Sequence, residues 1–193
     1  AQSFGKTKLA MNNKNIDMIS FSAHKFHGPK GVGGLVIRKR DGISLPIKPL
    51  MYGGGQERGV RPGTLPVALI AGMAKSLEIS IKNQDKWDSE CKEIKSMALD
   101  AFKGIQYKVY GTTDQNTLPN TLSIAFADLD AEAVILILKE HAEISTGSAC
   151  TSDSYTPSHV ISSMGASRDE AQRVVRFSWG KETNPDVFKS IAK

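Results

Sequence analysis

The chain has 193 residues, of which 40% are hydrophobic and 23% are charged, and its net charge is +5. This composition is typical of a globular protein of one or two domains, and the 25 basic residues are spread along the chain rather than collected into a nucleic-acid-binding arm. No apolar run approaches the roughly 18–20 residues that a membrane-spanning helix needs. The two cysteines, Cys91 and Cys150, lack the spacing of a metal site, and their different surroundings predict a reducing, cytoplasmic compartment rather than a disulfide.

The first predicted elements flank a lysine. An apolar run at residues 16–19 and a second at Gly33–Ile37 predict two strands, and Lys25 lies in the polar stretch between them. A lysine that is held at such a junction and partly removed from water can attack an aldehyde as a nucleophile. Ser22 and His24 alternate along the strand, which predicts that they share one face, where both could donate to an anion such as a phosphate. The alternative is an ordinary Gly-Pro turn with a solvated surface lysine.

A glycine-rich loop and a long helical pattern follow. Residues 51–66 contain a Gly-Gly-Gly run, which lets a backbone approach an anion closely but on its own indicates only a flexible loop. From Pro66 the apolar residues recur with a period near 3.6, and the pattern resumes at Trp87 and stops at Gly104. The sequence therefore predicts helix over most of this region, with Cys91 as a packing residue inside it.

The last part of the chain has a mixed pattern of strands and helices. The predicted strands are residues 107–110, 121–126 and 174–178, and the predicted helices include residues 131–140, 157–164 and 168–173. Asp130 is the predicted N-cap of the first of these helices, and Asn184 with Pro185 opens a last helix as N-cap and first-turn proline. The alternation of strands and helices predicts an α/β sandwich.

One cysteine has polar neighbours. Cys150 stands among serines, threonines and a glycine, whereas a buried structural cysteine usually has apolar neighbours. These small residues predict an exposed loop, and exposure favours a reactive thiol. The alternative is an accidental surface cysteine with no chemical role.

Several motifs together resemble one enzyme family. The string Ser-x-His-Lys-x-x-Gly-Pro-Lys-Gly-x-Gly around Lys25 resembles the cofactor-lysine signature of the fold-type-I pyridoxal-phosphate enzymes, in detail the cysteine desulfurases of the class-V aminotransferase family. The string Gly-Gly-Gly-x-Glu-x-Gly-x-Arg-x-Gly-Thr, which ends at Thr64, resembles the family's second signature, with Gln56 where the family often has His. The string Ser-x-Gly-Ser-Ala-Cys-x-Ser around Cys150 is similar to the persulfide-forming loop of the group-I, NifS/IscS-like branch. An Arg-Phe-Ser motif begins at Arg176.

The resemblance implies a fold-type-I α/β architecture. Residues 1–64 would be the C-terminal part of the large cofactor-binding domain, residues 65–104 the connecting helix, and residues 105–193 a small C-terminal domain with the catalytic cysteine loop. In the family, a segment similar to the one at Ala1 follows an aspartate that pairs with the pyridine nitrogen of the cofactor. We therefore expect an N-terminal half to be missing, and we expect these residues expressed alone to be inactive and to hold the cofactor weakly.

The implied reaction converts L-cysteine to L-alanine with pyridoxal 5'-phosphate as cofactor and without a metal. Lys25 would hold the cofactor and move the α-proton, Cys150 would take the sulfur as a persulfide, and Arg176 would grip the substrate carboxylate with two parallel N–H groups. Thr64 would reach the phosphate bound by the other subunit of a homodimer. The residues implied to bind the cofactor are Gln2 at the ring hydroxyl, Ser22, His24, Lys25 and Thr64.

The persulfide would pass to an acceptor or scaffold protein that serves iron–sulfur cluster assembly, tRNA thiolation or DNA phosphorothioation. Two other interpretations are open. A class-V enzyme such as a selenocysteine lyase would share Lys25 but treat sulfur differently. A non-catalytic sulfur-carrier or scaffold-binding module would use Cys150 alone.

Overall fold

The computed structural model describes residues 1–8, 13–44, 46–111, 117–146 and 157–192. The chain divides into two compact units, Ala1–Gln84 and Asp85–Lys193, called here the N-terminal and C-terminal units. Among the described residues, none of the helices has the length and apolar character needed to cross a membrane.

The N-terminal unit contains two antiparallel hairpins. Strands β1 (Met18–Ser22) and β2 (Gly33–Ile37) pair so that Met18 lies opposite Ile37 and Ser22 opposite Gly33. The second strand matches its predicted residues, whereas the first begins at Met18 rather than at residue 16. The much shorter strands β3 (Lys39–Arg40) and β4 (Ile43–Ser44) form the second hairpin. The two residues between them have positive φ angles of 50° and 78°, as a tight hairpin turn requires.

Aromatic packing holds this unit together. Phe4 stacks on Phe21 with ring centroids 4.4 Å apart, and both rings also contact the buried Phe26. The apolar side of the hairpin and the first turns of the following helix pack around these rings, through Ile19, Val32, Met73 and Leu77. Residues near the start of the chain are thereby fixed to strand β1.

Helix α1 (Val67–Ala101) runs for 35 residues, which confirms the predicted helix. The sequence pattern lapses before Trp87, yet the helix continues through that stretch without a break. Two i,i+4 ion pairs, Lys86 with Glu90 and Asp88 with Lys92, support the helix where the apolar pattern resumes. The chain leaves the helix just before Gly104, whose φ of 94° suits a residue without a side chain.

The C-terminal unit is a three-stranded antiparallel sheet covered by helices. Strands β5 (Tyr107–Tyr110), β6 (Thr121–Phe126) and β7 (Val174–Ser178) pair in the order β5-β6-β7. All three strands match their predicted residues. In the described part of this unit, the helices besides the end of α1 are α2 (Ala131–Leu138), α3 (His159–Ser163), α4 (Arg168–Arg173) and α5 (Val187–Ile191).

The two faces of this sheet carry separate apolar clusters. The larger cluster contains Phe102, which is fully buried and contacts four aromatic rings at centroid distances of 5.4–6.3 Å, those of Tyr107, Phe126, Phe177 and Phe188. Cys91 is buried in the same cluster, so its predicted packing role is confirmed. On the other face, Ile161 of α3 and Ala171 of α4 pack against Ala125 and Val174. The sheet and the helices that pack on its two faces form the predicted α/β sandwich.

Two helices begin later than predicted, and one of them is α3, which begins at His159 rather than at residue 157. The last helix begins at Val187 with Asp186 as its N-cap, rather than at Asn184, so that prediction was wrong by two residues. The reason is local, because the Asn184 side chain accepts a hydrogen bond from the Asp186 amide at 3.0 Å and forms a turn ahead of the helix. Asp130 is the N-cap of α2 as predicted, but its side chain makes no capping hydrogen bond.

Candidate active site

The segment that carries Lys25 is a turn rather than a strand extension. Strand β1 ends at Ser22, and Ala23–Phe26 form a 3-10 helix. The prediction that Ser22 and His24 share one strand face was therefore wrong. The Gly28 amide donates to the Ala23 carbonyl at 2.9 Å, and this bond turns the chain immediately after Ser22.

Lys25 sits on a well-supported turn. Ala23 and Phe26 on either side are buried, and the Phe26 carbonyl accepts from the Ser80 hydroxyl at 3.3 Å. A Cβ at Gly28 would overlap the Ser76 side chain and Ala23, so only glycine fits beneath this turn. The turn therefore has a fixed shape against helix α1.

The polar side chains on this turn are available to bind a ligand. Lys25 and Ser22 are half-buried and His24 is exposed. In the ranges that the structure describes, none of these three side chains makes a hydrogen bond or an ion pair with another residue. An amine held on a rigid turn beside a hydroxyl and an imidazole fits a ligand that carries an aldehyde and a phosphate. This donor set therefore fits pyridoxal phosphate.

Gln2 belongs to the same unit as Lys25. It is exposed on the opening turn of the chain, and Phe4, two residues later, stacks on Phe21 next to Ser22. This ring pair ties the turn that carries Gln2 to the strand that leads to Lys25. Gln2, Ser22, His24 and Lys25 therefore all belong to the N-terminal unit.

Thr64 ends the glycine-rich loop. Its side chain is exposed, and the loop before it contains two consecutive non-glycine residues in the left-handed region, Glu57 with φ 47° and Arg58 with φ 59°. The Gln56 side chain accepts a hydrogen bond from the Gly63 amide at 3.1 Å. The sequence assigned no role to Gln56, although a long polar side chain between glycines can fold back onto its own loop.

Arg176 lies on strand β7 in the C-terminal unit, between Ser123 of β6 and Ser145. Its amide donates to the Ser145 carbonyl at 2.6 Å, and the Ser145 amide donates back to its carbonyl at 3.3 Å. The guanidinium Nε is buried, and no acceptor among the described residues pairs with it. A buried donor without an acceptor is costly, so this guanidinium is suited to a ligand carboxylate.

Cys150 lies outside the described residues, as do the neighbours that form its motif. Cys150 lies five positions after Ser145 in the sequence.

Known proteins match this chain along its whole length. The family model for class-V aminotransferases matches residues 1–186. A curated relative, the cysteine desulfurase IscS of Rickettsia bellii, is 42% identical over the whole of this chain and 47% of its own length.

Solved structures show the same partial coverage. A NifS-like protein aligns with all of this chain and 48% of its own, with a TM-score of 0.83 and 31% identity. The structure of DndA from Streptomyces lividans aligns with 93% of this chain and 51% of its own, with a TM-score of 0.75 and 38% identity. These matches confirm the predicted fold-type-I α/β architecture. The chain spans about half the length of the curated relatives it matches.

Proposed function

This chain belongs to the class-V aminotransferase family, and from that premise we propose that it forms part of a pyridoxal-phosphate-dependent cysteine desulfurase. The overall reaction takes L-cysteine and the Cys150 thiol to L-alanine and a Cys150 persulfide. Residues 1–64 would belong to the cofactor-binding domain, and residues 105–193 would form the small domain with the sulfur-accepting cysteine.

The observation that carries the proposal is the arrangement around Arg176. Its backbone is paired with Ser145, which begins the motif of Cys150, while its buried Nε has no acceptor among the described residues. A free amino acid offers a carboxylate to such a guanidinium and offers its own side chain to a nearby nucleophile. Among amino acids, only one with a transferable side-chain sulfur would use Cys150 as the acceptor.

The sulfur transfer balances without an added oxidant. The Cys150 thiolate bonds to the substrate sulfur, and the bond between that sulfur and the substrate Cβ breaks with its electron pair going to carbon. The carbon skeleton then takes up a proton and leaves as alanine. Pyridoxal phosphate, when bound, withdraws electrons from the amino-acid α-carbon and so makes its proton removable.

Lys25 both attaches the cofactor and transfers the α-proton of the substrate. Its amine, half-buried and without a partner in the described ranges, can hold an aldehyde covalently. When substrate replaces it, the released amine can take the α-proton and return it as general base and acid. Ser22, His24 and Gln2 supply hydrogen bonds to the phosphate and ring substituents.

The proposal includes a homodimer, because Thr64 is assigned to the cofactor phosphate of a second copy. The exposed position of Thr64 on the glycine-rich loop suits such a role. The persulfide passes to an acceptor or scaffold protein in the cytoplasm, as in iron–sulfur cluster assembly.

The test uses the protein as its gene encodes it, supplied with pyridoxal phosphate. L-cysteine should be converted to L-alanine, and without reductant the Cys150 peptide should gain the mass of one sulfur atom. L-serine, which has the same carboxylate but no sulfur, is the matched control. A protein that stays colourless and releases no alanine, yet accepts sulfur at Cys150 from a persulfide donor, would instead be a sulfur carrier. Selenocysteine turnover without cysteine turnover would identify a selenocysteine lyase.

A further inference from the structure

A single peptide unit in the glycine-rich loop is held at both of its polar ends. The amide of Gly63 donates to Gln56 Oε1 at 3.1 Å, and the carbonyl of Pro62 accepts from Arg61 Nη1. Both groups belong to the peptide bond that joins Pro62 to Gly63. The next residue is Thr64, so both side chains hold the peptide that immediately precedes it.

The loop is built to accommodate the folded-back Gln56 side chain. A Cβ at Gly54 would overlap Gln56 Oε1 and would lie 3.1 Å from both Cδ and Nε2. At Gly55, by contrast, the backbone has φ −83°, and an added Cβ would meet nothing within 4 Å. Gln56 is half-buried while the other residues from 51 to 59 are exposed. Gly54 therefore leaves the space that Gln56 occupies.

The backbone after Gln56 needs an external restraint. Glu57 and Arg58 are both left-handed, with φ angles of 47° and 59°, a conformation that is sterically unfavourable for residues with a Cβ. Such backbone persists only where surrounding interactions hold it. Two backbone bonds hold these residues locally, from the Gly59 amide to the Gly55 carbonyl at 3.3 Å and from the Val60 amide to the Glu57 carbonyl at 3.1 Å. The bond from the Gly63 amide to Gln56 adds a longer-range restraint that closes the loop across them.

We propose that Gln56 is a positioning residue that, by holding the Pro62–Gly63 peptide, aims the Thr64 hydroxyl at the phosphate of the cofactor bound by a second copy of the chain. The proposal rests on the proposed function through the role of Thr64. Gln56 acts through Thr64 and does not itself touch the phosphate.

The experiment is a double-mutant cycle between Gly54 and Gln56. Gln56→Ala removes the acceptor, and Gly54→Ala displaces the same side chain without changing it. Two quantities are measured in the protein as encoded: the exchange rate of the Gly63 amide, and the dissociation constant for pyridoxal phosphate. Gly55→Ala is the matched control, because its new methyl group has open space.

Gln56→Ala and Gly54→Ala each lose one neutral hydrogen bond. Each variant should therefore raise both the exchange rate of the Gly63 amide and the dissociation constant for pyridoxal phosphate by about 2- to 12-fold. The double variant should resemble either single variant, because both changes remove the same bond. Gly55→Ala should alter neither quantity. If Gln56→Ala should fold poorly, Gly54→Ala still tests the same contact with the native side chain present.

Other results would overturn the proposal in distinct ways. In one such result, Gln56→Ala exchanges its Gly63 amide faster but binds pyridoxal phosphate as tightly as the wild type, whereas Thr64→Val binds it more weakly. Gln56 would then be a purely structural residue. Additive effects in the double variant would show that Gly54 and Gln56 act independently. A wild-type protein that binds no pyridoxal phosphate would overturn the proposed function itself, and this inference with it.

Discussion

Ser145 and Arg176 exchange both of their backbone hydrogen bonds, at 2.6 and 3.3 Å, on the edge of the C-terminal sheet. Strand β7 is the last strand of the order β5-β6-β7, so this bridge occupies its outer edge. Backbone pairing leaves the Arg176 side chain available for a ligand while it fixes the residue that begins the Cys150 motif. In the proposed function, one residue of the edge strand would serve both the carboxylate site and the anchoring of the segment that carries Cys150.

The first prediction concerns the carboxylate grip. Arg176→Lys keeps the charge but loses the planar two-point donor geometry, which removes a charge-assisted bond of about 1.5–3 kcal/mol. The affinity for L-cysteine should fall by roughly 10- to 100-fold, while the colour of the bound cofactor stays unchanged. Arg168→Lys, at an exposed position on α4, is the matched control and should bind substrate normally. Unchanged affinity in Arg176→Lys would remove this residue from the site.

The second prediction separates the two cysteines. Cys150→Ser should abolish sulfur labelling by L-cysteine, whereas Cys91→Ser should retain it. Cys91 is buried on α1, so the serine hydroxyl should instead lower the free energy of unfolding by about 1–3 kcal/mol. Peptide mass spectrometry and thermal unfolding measure the two effects. Loss of labelling in Cys91→Ser, in a protein that remains folded, would contradict the assignment of Cys150.

The third prediction identifies the lysine that holds the cofactor. Borohydride makes the covalent link between an amine and the cofactor permanent, so the label should appear on the peptide that contains Lys25. Lys30 provides the matched control, because it is exposed on the same segment five residues later. Lys25→Ala should abolish the label and Lys30→Ala should preserve it. A label that follows Lys30 would contradict the role of Lys25.

The fold could be predicted where the local pattern and the tertiary packing agree. Strand β6 alternates Leu122, Ile124 and Phe126 with smaller residues, and the large side chains do face a buried cluster. The turn after Ser22 could not be predicted, because the bond from Gly28 to Ala23 ends the strand against its alternating pattern.

The candidate site could be predicted only in part, because some of its contacts join residues that are distant in the sequence. The side chains on the Lys25 turn and in the Arg-Phe-Ser motif were named from short strings of residues. The contact between Gln56 and Gly63 depends on a side chain that folds back across seven residues, and no local pattern encodes that. The bridge from Ser145 to Arg176 joins residues 31 positions apart, so only the folded structure reveals it.

The fourth prediction tests the core of the C-terminal unit. Phe102→Ala should lower the free energy of unfolding by about 3–5 kcal/mol, because Phe102 is fully buried among four aromatic rings and its loss leaves a cavity. Phe102→Leu fills most of the volume and should cost less than Phe102→Ala. Chemical denaturation with a probe in the C-terminal unit measures both. A loss of stability below about 1 kcal/mol in Phe102→Ala would mean that this cluster is not the core.

The last prediction concerns the pH dependence of stability. The hydrogen bond from Lys108 at 2.7 Å, followed by the one from the Ser167 amide at 2.9 Å, lowers the pKa of the Glu170 carboxyl from 4.5 to about 2. Because the folded pKa lies below the unfolded one, the ionised carboxylate stabilises the fold above pH 4.5, and this contribution is lost as the pH falls from about 4.5 towards 2. Glu170→Gln should therefore flatten the fall in unfolding free energy across that range. Lys108→Met should raise the pKa of Glu170, as followed by NMR titration, whereas Lys139→Met changes the net charge equally and should leave it unchanged. High salt should weaken the effect, since the pair is exposed. An equal shift in both lysine variants would show that general charge, rather than the hydrogen bond from Lys108, lowers the pKa.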